Sequence, residues 1–549
     1  MWLVVVDTTQ IQPYIFGSNR LRESIGASYL VDMATGDWAL QAVRDAAPGQ
    51  NYPGDGLALR GDVRIEEGLE AEVLYAGGGN FVVLFDHIDR VQKFQASLSQ
   101  QVLEKAPGLQ IVVVQLELDW HTQILCERLD QAWRDLAVQK RKRAWPAPLL
   151  GLSVTAACRS TGLPASGIVE GIQGEPGYLA SDEIRAKVDV ASLADQRLRQ
   201  IIRLQDEYRY PADFEDLGGT AGEYSYIAVV HADGDEMGRR IADLGKNYRE
   251  VDKNRAYVQA LGKLSCGVQQ AASKALQAML DCLVASITRG KDGEYSLVHW
   301  PDPENRRSRL QIRLAKQRDG RLLVPFRPIV FGGDDITFVC DGRLGLALAT
   351  LYLQEFERQT PAHLTQDGAG LTACAGIAIV KSHYPFVRAY ALATDLTGSA
   401  KRYRRNQGIP GSCLDWHFAL SGLGGSIQKI REREYMMKEG SLAQRPVTLE
   451  ANPKNAVCAW PVVLQGIRAF QQEQWAQRRN KVKALREALR EGASAVEHFR
   501  IAFNDNGSLP EVLSGWTGLA KTGWQGKTCG YFDAIELADW FLPLKGGGR

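Results

Sequence analysis

An α+β chain containing two ferredoxin-like units is the fold class that three observations predict. The order strand, helix, strand, strand, helix, strand is read twice along the chain. In both copies a glycine-rich turn joins the two middle strands. Between the strands, apolar residues switch from a spacing of two to the helical spacing of 3.6. The 549 residues suffice for about three to five compact units. With 45% hydrophobic and 23% charged residues, the composition is that of a folded chain with more than one core, not of a disordered one.

The first copy opens on a buried-strand run, Trp2 to Asp7. This apolar start ends after six residues with no basic segment before it, so no secretory signal is expected. Arg20 to Val43 reads as one helix, with Leu21, Ile25, Tyr29, Met33 and Trp38 on roughly one face. Glu72 to Ala76 and Phe81 to Phe85 read as strands about the turn Gly77-Gly78-Gly79-Asn80. A helix over Asp89 to Lys105 and a strand over Gln110 to Leu118 complete the unit.

The second copy starts with the strand Tyr226 to His231, which runs out at Asp233, and a long helix from Tyr257 to Ile287. Strands Pro328 to Phe331 and Ile336 to Cys340 flank Gly332-Gly333-Asp334-Asp335, followed by a helix over Leu344 to Arg358 and a strand over Leu371 to Val380. Aligned turn to turn, Phe331 to Ile336 lies over Ala76 to Phe81, and Asp233 corresponds to Asp7. Between the copies, Pro146, Pro148, Pro164 and Pro176 punctuate a less periodic insert. Val463 to Glu491, Ser494 to Phe503 and Asp533 to Phe541 read as helices of a C-terminal domain.

Lys plus Arg (65) nearly cancels Asp plus Glu (64), which excludes a protein that grips nucleic acid by overall positive charge. No uncharged apolar stretch approaches the ~18 residues of a membrane helix. The expected location is cytoplasmic, with no membrane partner. The nine cysteines are scattered without a Cys-x-x-Cys pair, so reduced thiols and no zinc are expected.

The chemistry concentrates at the second turn. An isolated Gly-Gly-Asp-Asp reads as an exposed turn. Here it lies between two strands, beside His231-Ala232-Asp233-Gly234-Asp235-Glu236-Met237-Gly238 at the end of a third. Asp233, Asp334 and Asp335 are hard oxygen donors suited to Mg²⁺ or Mn²⁺, with water and substrate phosphates completing the shell. Gly332 and Gly333 let a triphosphate approach the backbone. The first copy has Gly79 and Asn80 where these carboxylates stand, so its turn, with Gly78 and Asn80, is expected to position a nucleotide without catalytic metal.

At this point the chain resembles the large palm-polymerase subunit of type III CRISPR effector complexes, the synthetase of cyclic oligoadenylates, most closely in its Cmr-module form. The carrying motifs are Ile11 to Phe16 (IQPYIF), Leu21 to Leu30 (LRESIGASYL), Tyr75 to Phe81 (YAGGGNF), Ala232 to Gly238 (ADGDEMG), Phe331 to Asp335 (FGGDD), Ser399-Ala400-Lys401 and Leu414 to His417 (LDWH). The resemblance implies a degenerate first palm (1–144), a linking domain (145–222), a catalytic GGDD palm of GGDEF/cyclase-like type (223–430) and a helical C-terminal domain (431–549). It further implies ATP as substrate, other effector subunits with guide RNA and target RNA as partners, and Ser399 and Lys401 near the nucleotide. Relatives often begin with an HD phosphohydrolase domain. This chain contains no His-Asp dipeptide, so the DNase activity of that domain is expected to be absent. Where relatives carry zinc-binding cysteine pairs, Cys158 is single and reads as packed.

Blander readings apply elsewhere. Lys140-Arg141-Lys142-Arg143 reads as a solvated helix end. The basic stripe Arg478, Arg479, Lys481, Lys483, Arg486 and Arg490 reads as a solvated face or an RNA or partner contact, and His231, His383 and His417 read as structural. Three functions compete: a metal-dependent nucleotidyltransferase that links and cyclises ATP, a free-standing GGDEF-like dinucleotide cyclase, and a catalytically silent scaffold. The second copy within one chain argues against the free-standing cyclase, and the three carboxylates argue against the scaffold.

Overall fold

The chain is described from a computed structural model that covers residues 1–52, 63–142, 154–171, 176–217, 225–299, 310–317, 319–360, 364, 370–419, 425–452, 454–476, 478–503 and 509–546. Arg143, Pro146 and Pro148 lie outside these described residues. Runs of β-branched and aromatic residues form the first antiparallel sheet, in the order β2-β3-β1-β4: β1 (Trp2–Thr9), β2 (Ala71–Gly77), β3 (Asn80–Phe85) and β4 (Gln110–Glu117). Its helices are α1 (Ile11–Phe16), α2 (Leu21–Thr35), α3 (Asp37–Ala46), α4 (Ile88–Lys105) and α5 (Leu125–Lys142). The single helix expected over Arg20 to Val43 is broken at Gly36, whose φ −114° and ψ −105° are not helical. Apolar spacing continues across the break, which is why periodicity alone joins the two pieces.

The insert contains a hairpin, β5 (Gly167–Val169) and β6 (Tyr178–Ala180), then α6 (Asp182–Asp189), α7 (Ala191–Ile201) and β7 (Tyr208–Arg209). Cys158 is buried there among Val169, Tyr178, Ala180, Ile184 and Val188. The insert is pinned to α2 through buried Glu23, which accepts hydrogen bonds from Tyr178 at 2.6 Å and Ser160 at 2.9 Å.

The second unit contains β8 (Tyr226–Gly234), α8 (Met237–Lys246) and the long α9 (Asn254–Ala285), then a small sheet of β9 (Ile287–Arg289), β10 (Tyr295–His299) and β11 (Leu310–Arg313). It continues with β12 (Leu322–Leu323), β13 (Phe326–Gly332), β14 (Asp335–Asp341), α10 (Gly345–Gln359), β15 (Ala373–Lys381), α11 (Phe386–Gln407) and β16 (Cys413–Phe418). After α12 (Ile427–Glu434), the short β17 (Val447–Thr448) completes a six-stranded sheet, β13-β14-β8-β15-β16-β17. The two units cover each other reciprocally. Tyr257 and Leu261 of α9 join the core of Leu3, Val5 and Leu129, while Ile25 and Leu30 of α2 share a core with Val229 and Val339.

The C-terminal region holds α13 (Trp460–Gln471), α14 (Glu473–Ala476), α15 (Arg479–Glu491), α16 (Ala493–Ala502), α17 (Thr517–Thr522), a hairpin of β18 (Trp524–Gln525) and β19 (Thr528–Cys529), and α18 (Phe532–Ala538). The helix expected over Val463 to Glu491 is therefore three. Buried Gln471 anchors the break by donating from its amide to the carbonyls of Ala538 (2.9 Å) and Phe541 (3.1 Å). The basic stripe is only partly solvated. Lys481 is buried over the Trp475 ring at 4.4 Å, and Arg486 and Arg490 lie over Phe532 at 5.3 and 4.9 Å. These three cations cover apolar surface within the chain.

Candidate active site between the two units

The duplication read from the sequence extends to individual backbone positions. Asp7 pairs in register with Asn80, and Asp233 pairs with Asp335. Both hairpins close with matching pairs, Gly77 with Asn80 and Gly332 with Asp335. Each has a register shift at the same distance before the turn, between Val73 and Tyr75 and between Pro328 and Val330. Gly78 has φ 62° and Gly333 φ 61°, a left-handed conformation that favours glycine. Three residues beyond each strand-end aspartate stand Gln10 (φ 55°) and Glu236 (φ 58°), the positive-φ non-glycine positions among the described residues.

Asp334 owes its place to Gly234. The Gly234 N–H donates to the Asp334 carbonyl at 3.1 Å, and a Cβ on Gly234 would lie only 2.6 Å from the Cβ of Asp334. In the first unit the occupancy is reversed: the Thr8 N–H donates to Gly79 O at 3.0 Å, and the Thr8 hydroxyl sits where a side chain at 79 would go. The first unit is therefore crowded where the counterpart of Asp334 would stand, with Thr8 Oγ1 3.0 Å and Ile11 Cδ1 3.1 Å from a Cβ at 79, and it has no carboxylate at Asn80.

Lys401 donates to Asp233 Oδ2 and to Gly234 O, both at 2.7 Å. Ser399 is half-buried two residues earlier on the same helix. Burial and the neighbouring Asp233 charge raise the Asp334 carboxyl above the usual range, against the weaker pull of Lys401. Asp335 is raised further, by burial and then by the charges of Asp233 and Asp334. Its side chain keeps 44% exposure, so it is a cleft carboxylate enclosed by protein on several sides yet open to a ligand. Its Oδ1 accepts no hydrogen bond, although His231 Nδ1 is 3.3 Å away. His231, read from sequence as structural, is buried with Nδ1 3.0 Å from the Thr337 hydroxyl, and it also lies beside this carboxylate. Burial holds its imidazole down at about 4, so it is neutral near neutral pH.

Among the described residues, no group of three His, Cys, Asp or Glu side chains forms a ready cation cage. The donors instead fit the way Mg²⁺ is commonly held, by one or two carboxylates with substrate phosphates and water. Congested carboxylates and an Asp335 oxygen without a hydrogen bond are the physical signature of a site short of positive charge.

The two turns face each other: a Cβ on Gly332 would lie 3.6 Å from the Cα of Gly78. Tyr75 reaches the same place, its hydroxyl 3.1 Å from where a Gly78 Cβ would stand. Burial and the Asp334 charge push that phenol up to about 12. Gly78, Asn80, Gly332, Gly333 and the three aspartates are therefore brought to one cleft. Sequence reading missed Tyr75 and also Lys140. Far from being a solvated helix end, Lys140 is ion-paired with Asp7 and donates to Thr8 O at 3.1 Å.

Residues 226–408 match the family model for the second palm domain of Cas10/Cmr2. No curated protein matches the chain. Among solved structures, the chain is similar to one in a Csm1-Csm4 cassette in complex with pppApApA, at 13% identity and a TM-score of 0.53, covering 98% of this chain and 69% of that one. A cassette complex with AMPPNP matches at 13% identity and a TM-score of 0.49, covering 98% and 69%. A complex with cA4 matches at 14% identity and a TM-score of 0.42, covering 73% and 53%. The present chain thus spans between about half and about two thirds of the chains it matches. Among the described residues no helix is long and apolar enough to cross a membrane. Residues 226–408 thus resemble the second palm domain of Cas10/Cmr2, and the first unit repeats its strand-and-turn pattern in register.

Proposed function

We propose that this protein is the large subunit of a type III CRISPR RNA-guided complex and converts ATP to cyclic oligoadenylates when target RNA is recognised. The observation that carries this reading is the pair of facing turns, one with three carboxylates and the other, its copy, with none at the positions of Asp334 and Asp335. A cleft of this kind suits two nucleotides bound in different states, one activated for attack on its α-phosphate and the other supplying the hydroxyl. The family match and the nucleotides named in the similar cassette structures support it. That a similar chain is found in a Csm1-Csm4 cassette also supports further effector subunits as partners; guide and target RNA are partners that this reading adds.

Asp233, Asp334 and Asp335 would hold Mg²⁺ or Mn²⁺, which supplies charge neutralisation at the transferring phosphate and lowers the pKa of an attacking hydroxyl. The chain's own contributions are positional. Lys401 presents an ammonium at the strand end, Gly332 and Gly333 admit the phosphates to the backbone, and neutral His231 beside Asp335 adds no competing charge. We assign Ser399 to the rim of the same nucleotide site.

The test is mass spectrometry of products from the purified complex supplied with ATP, Mg²⁺ and target RNA. Cyclic oligoadenylates are expected, and the Asp334→Ala/Asp335→Ala variant should lose more than ~100-fold in rate while retaining RNA binding. Near wild-type turnover by that variant, or equal turnover with and without target RNA, would count against the assignment.

A further inference from the structure

The second lysine of the cleft gives the first unit a chemistry of its own. Lys140 and Lys401 are matched in helix position and in their partners. Each is fifteen residues on from the first residue of the helix that follows the unit's last ferredoxin-like strand, Leu125 in α5 and Phe386 in α11. Each ammonium is paired with the strand-end aspartate, Asp7 or Asp233, and donates to the carbonyl of the next residue, Thr8 or Gly234. The surroundings differ in charge. At the second turn one ammonium faces three carboxylates, whereas at the first it faces Asp7 alone, with neutral Asn80 as the register partner. A triphosphate without a divalent cation is repelled from the first arrangement far less than from the second.

We propose that Lys140 is the triphosphate-binding cation of the first unit, held on Asp7 when no nucleotide is present and transferred to the phosphates when one enters, so that this half-site takes ATP without a metal. The inference rests on the reading of the cleft as a two-nucleotide site and adds the residue and the metal independence. The Lys140 side chain is 31% exposed and that of Asp7 13%, so the lysine stays partly open to solvent while its carboxylate partner is largely covered. An ammonium moving from a carboxylate to a phosphate exchanges one charge-assisted hydrogen bond for another, which keeps the exchange reversible. In the second unit the same movement of Lys401 would leave three uncompensated carboxylates, which is why that site needs metal as well.

Equilibrium binding of the non-hydrolysable analogue adenylyl imidodiphosphate to the full chain, with Mg²⁺ or with EDTA, tests this. Two bound nucleotides are expected with Mg²⁺ and one with EDTA. Lys140→Ala should weaken the EDTA-resistant binding by ~10-fold or more, Lys140→Arg should retain most of it, and Asp7→Asn should tighten it by freeing the ammonium. A merely structural ion pair would be damaged by either change, so weakening by both Lys140→Ala and Asp7→Asn overturns the proposal. Unchanged EDTA-resistant binding in Lys140→Ala, or its absence from wild-type protein that still binds one nucleotide with Mg²⁺, also overturns it. Wild-type protein that binds no nucleotide under either condition overturns the two-nucleotide reading itself, and the inference with it.

Discussion

At the scale of single residues, the second turn is built against its own stability. Asp335 stands in register with Asp233 and next to Asp334, and both turn carboxyls are held above the usual range by burial and by the charge of Asp233, with Asp334 adding to the rise of Asp335. A carboxyl whose native pKa lies above its unfolded value favours the fold fully below the unfolded pKa and loses that contribution as the pH rises through the native one. Near neutral pH the ionised cluster therefore costs stability. Asp335→Asn should raise the melting temperature at neutral pH, and the gain should vanish in acid where the wild-type carboxyl is already protonated. Added Mg²⁺ should raise the wild-type melting temperature more than that of the variant. A variant less stable than wild type at neutral pH without metal would show that Asp335 is a structural residue. The first turn avoids this cost by carrying Asn80 and by filling the space with Thr8.

At the scale of elements, α11 controls where Lys401 lies, and it does so through a glycine in the strand beneath it. A Cβ on Gly376 of β15 would stand 2.1 Å from Ala393 O and 2.4 Å from Thr397 N, both in α11, so the helix rests directly on the strand backbone. Thr397 adds a 2.9 Å hydrogen bond from its hydroxyl to His231 O in β8. Gly376→Ala should lift the helix, costing ~1–3 kcal/mol of stability and reducing turnover by about tenfold or more through the displaced lysine. A variant that melts earlier but turns over normally would separate helix seating from Lys401. The strands, the two turns and the correspondence of Asp7 with Asp233 were legible in sequence because period-two alternation around Gly-Gly is a local signal. The roles of Gly376 and Lys140 were not. Each depends on a partner more than fifteen residues away, and a basic helix end such as Lys140-Arg141-Lys142 has the same composition whether or not one ammonium turns inward. The break at Gly36 was hidden for a related reason, because the buried faces of α2 and α3 remain in phase with a single helix.

At the scale of the whole molecule, the turns can face each other only while the two units are held in one orientation, and a polar clamp at the start of α9 does much of the holding. Arg255 forms a bidentate contact to Glu66, with Nε 2.8 Å from Oε1, and reaches Glu72 at 2.6 and 2.9 Å, both in the first unit. Beside it, the Asn254 side chain accepts from the Leu125 N–H at 2.8 Å and donates to the carbonyls of Trp120 and Gln123. Burial alone would raise the Glu66 carboxyl, but the Arg255 contacts outweigh it and hold the group below its usual value. Its contribution is therefore present above the ordinary glutamate range and is lost as the pH falls through the depressed native value. Arg255→Ala would leave Glu72, only 3% exposed, without its charged partner, and removing one member of a buried pair costs ~3–5 kcal/mol. Because a misplacement of about 1 Å between reacting groups can cost ~100-fold in rate, this variant should lose turnover by one to two orders of magnitude while each half-site still binds nucleotide. Adding Glu72→Gln should recover part of the stability but not the rate, since the neutral side chain no longer suffers the unpaired charge yet cannot re-form the clamp. Melting curves and ATP turnover of the two variants check both parts. Wild-type turnover in Arg255→Ala would show that the orientation of the turns is set elsewhere, by the reciprocal cores of α2 and α9.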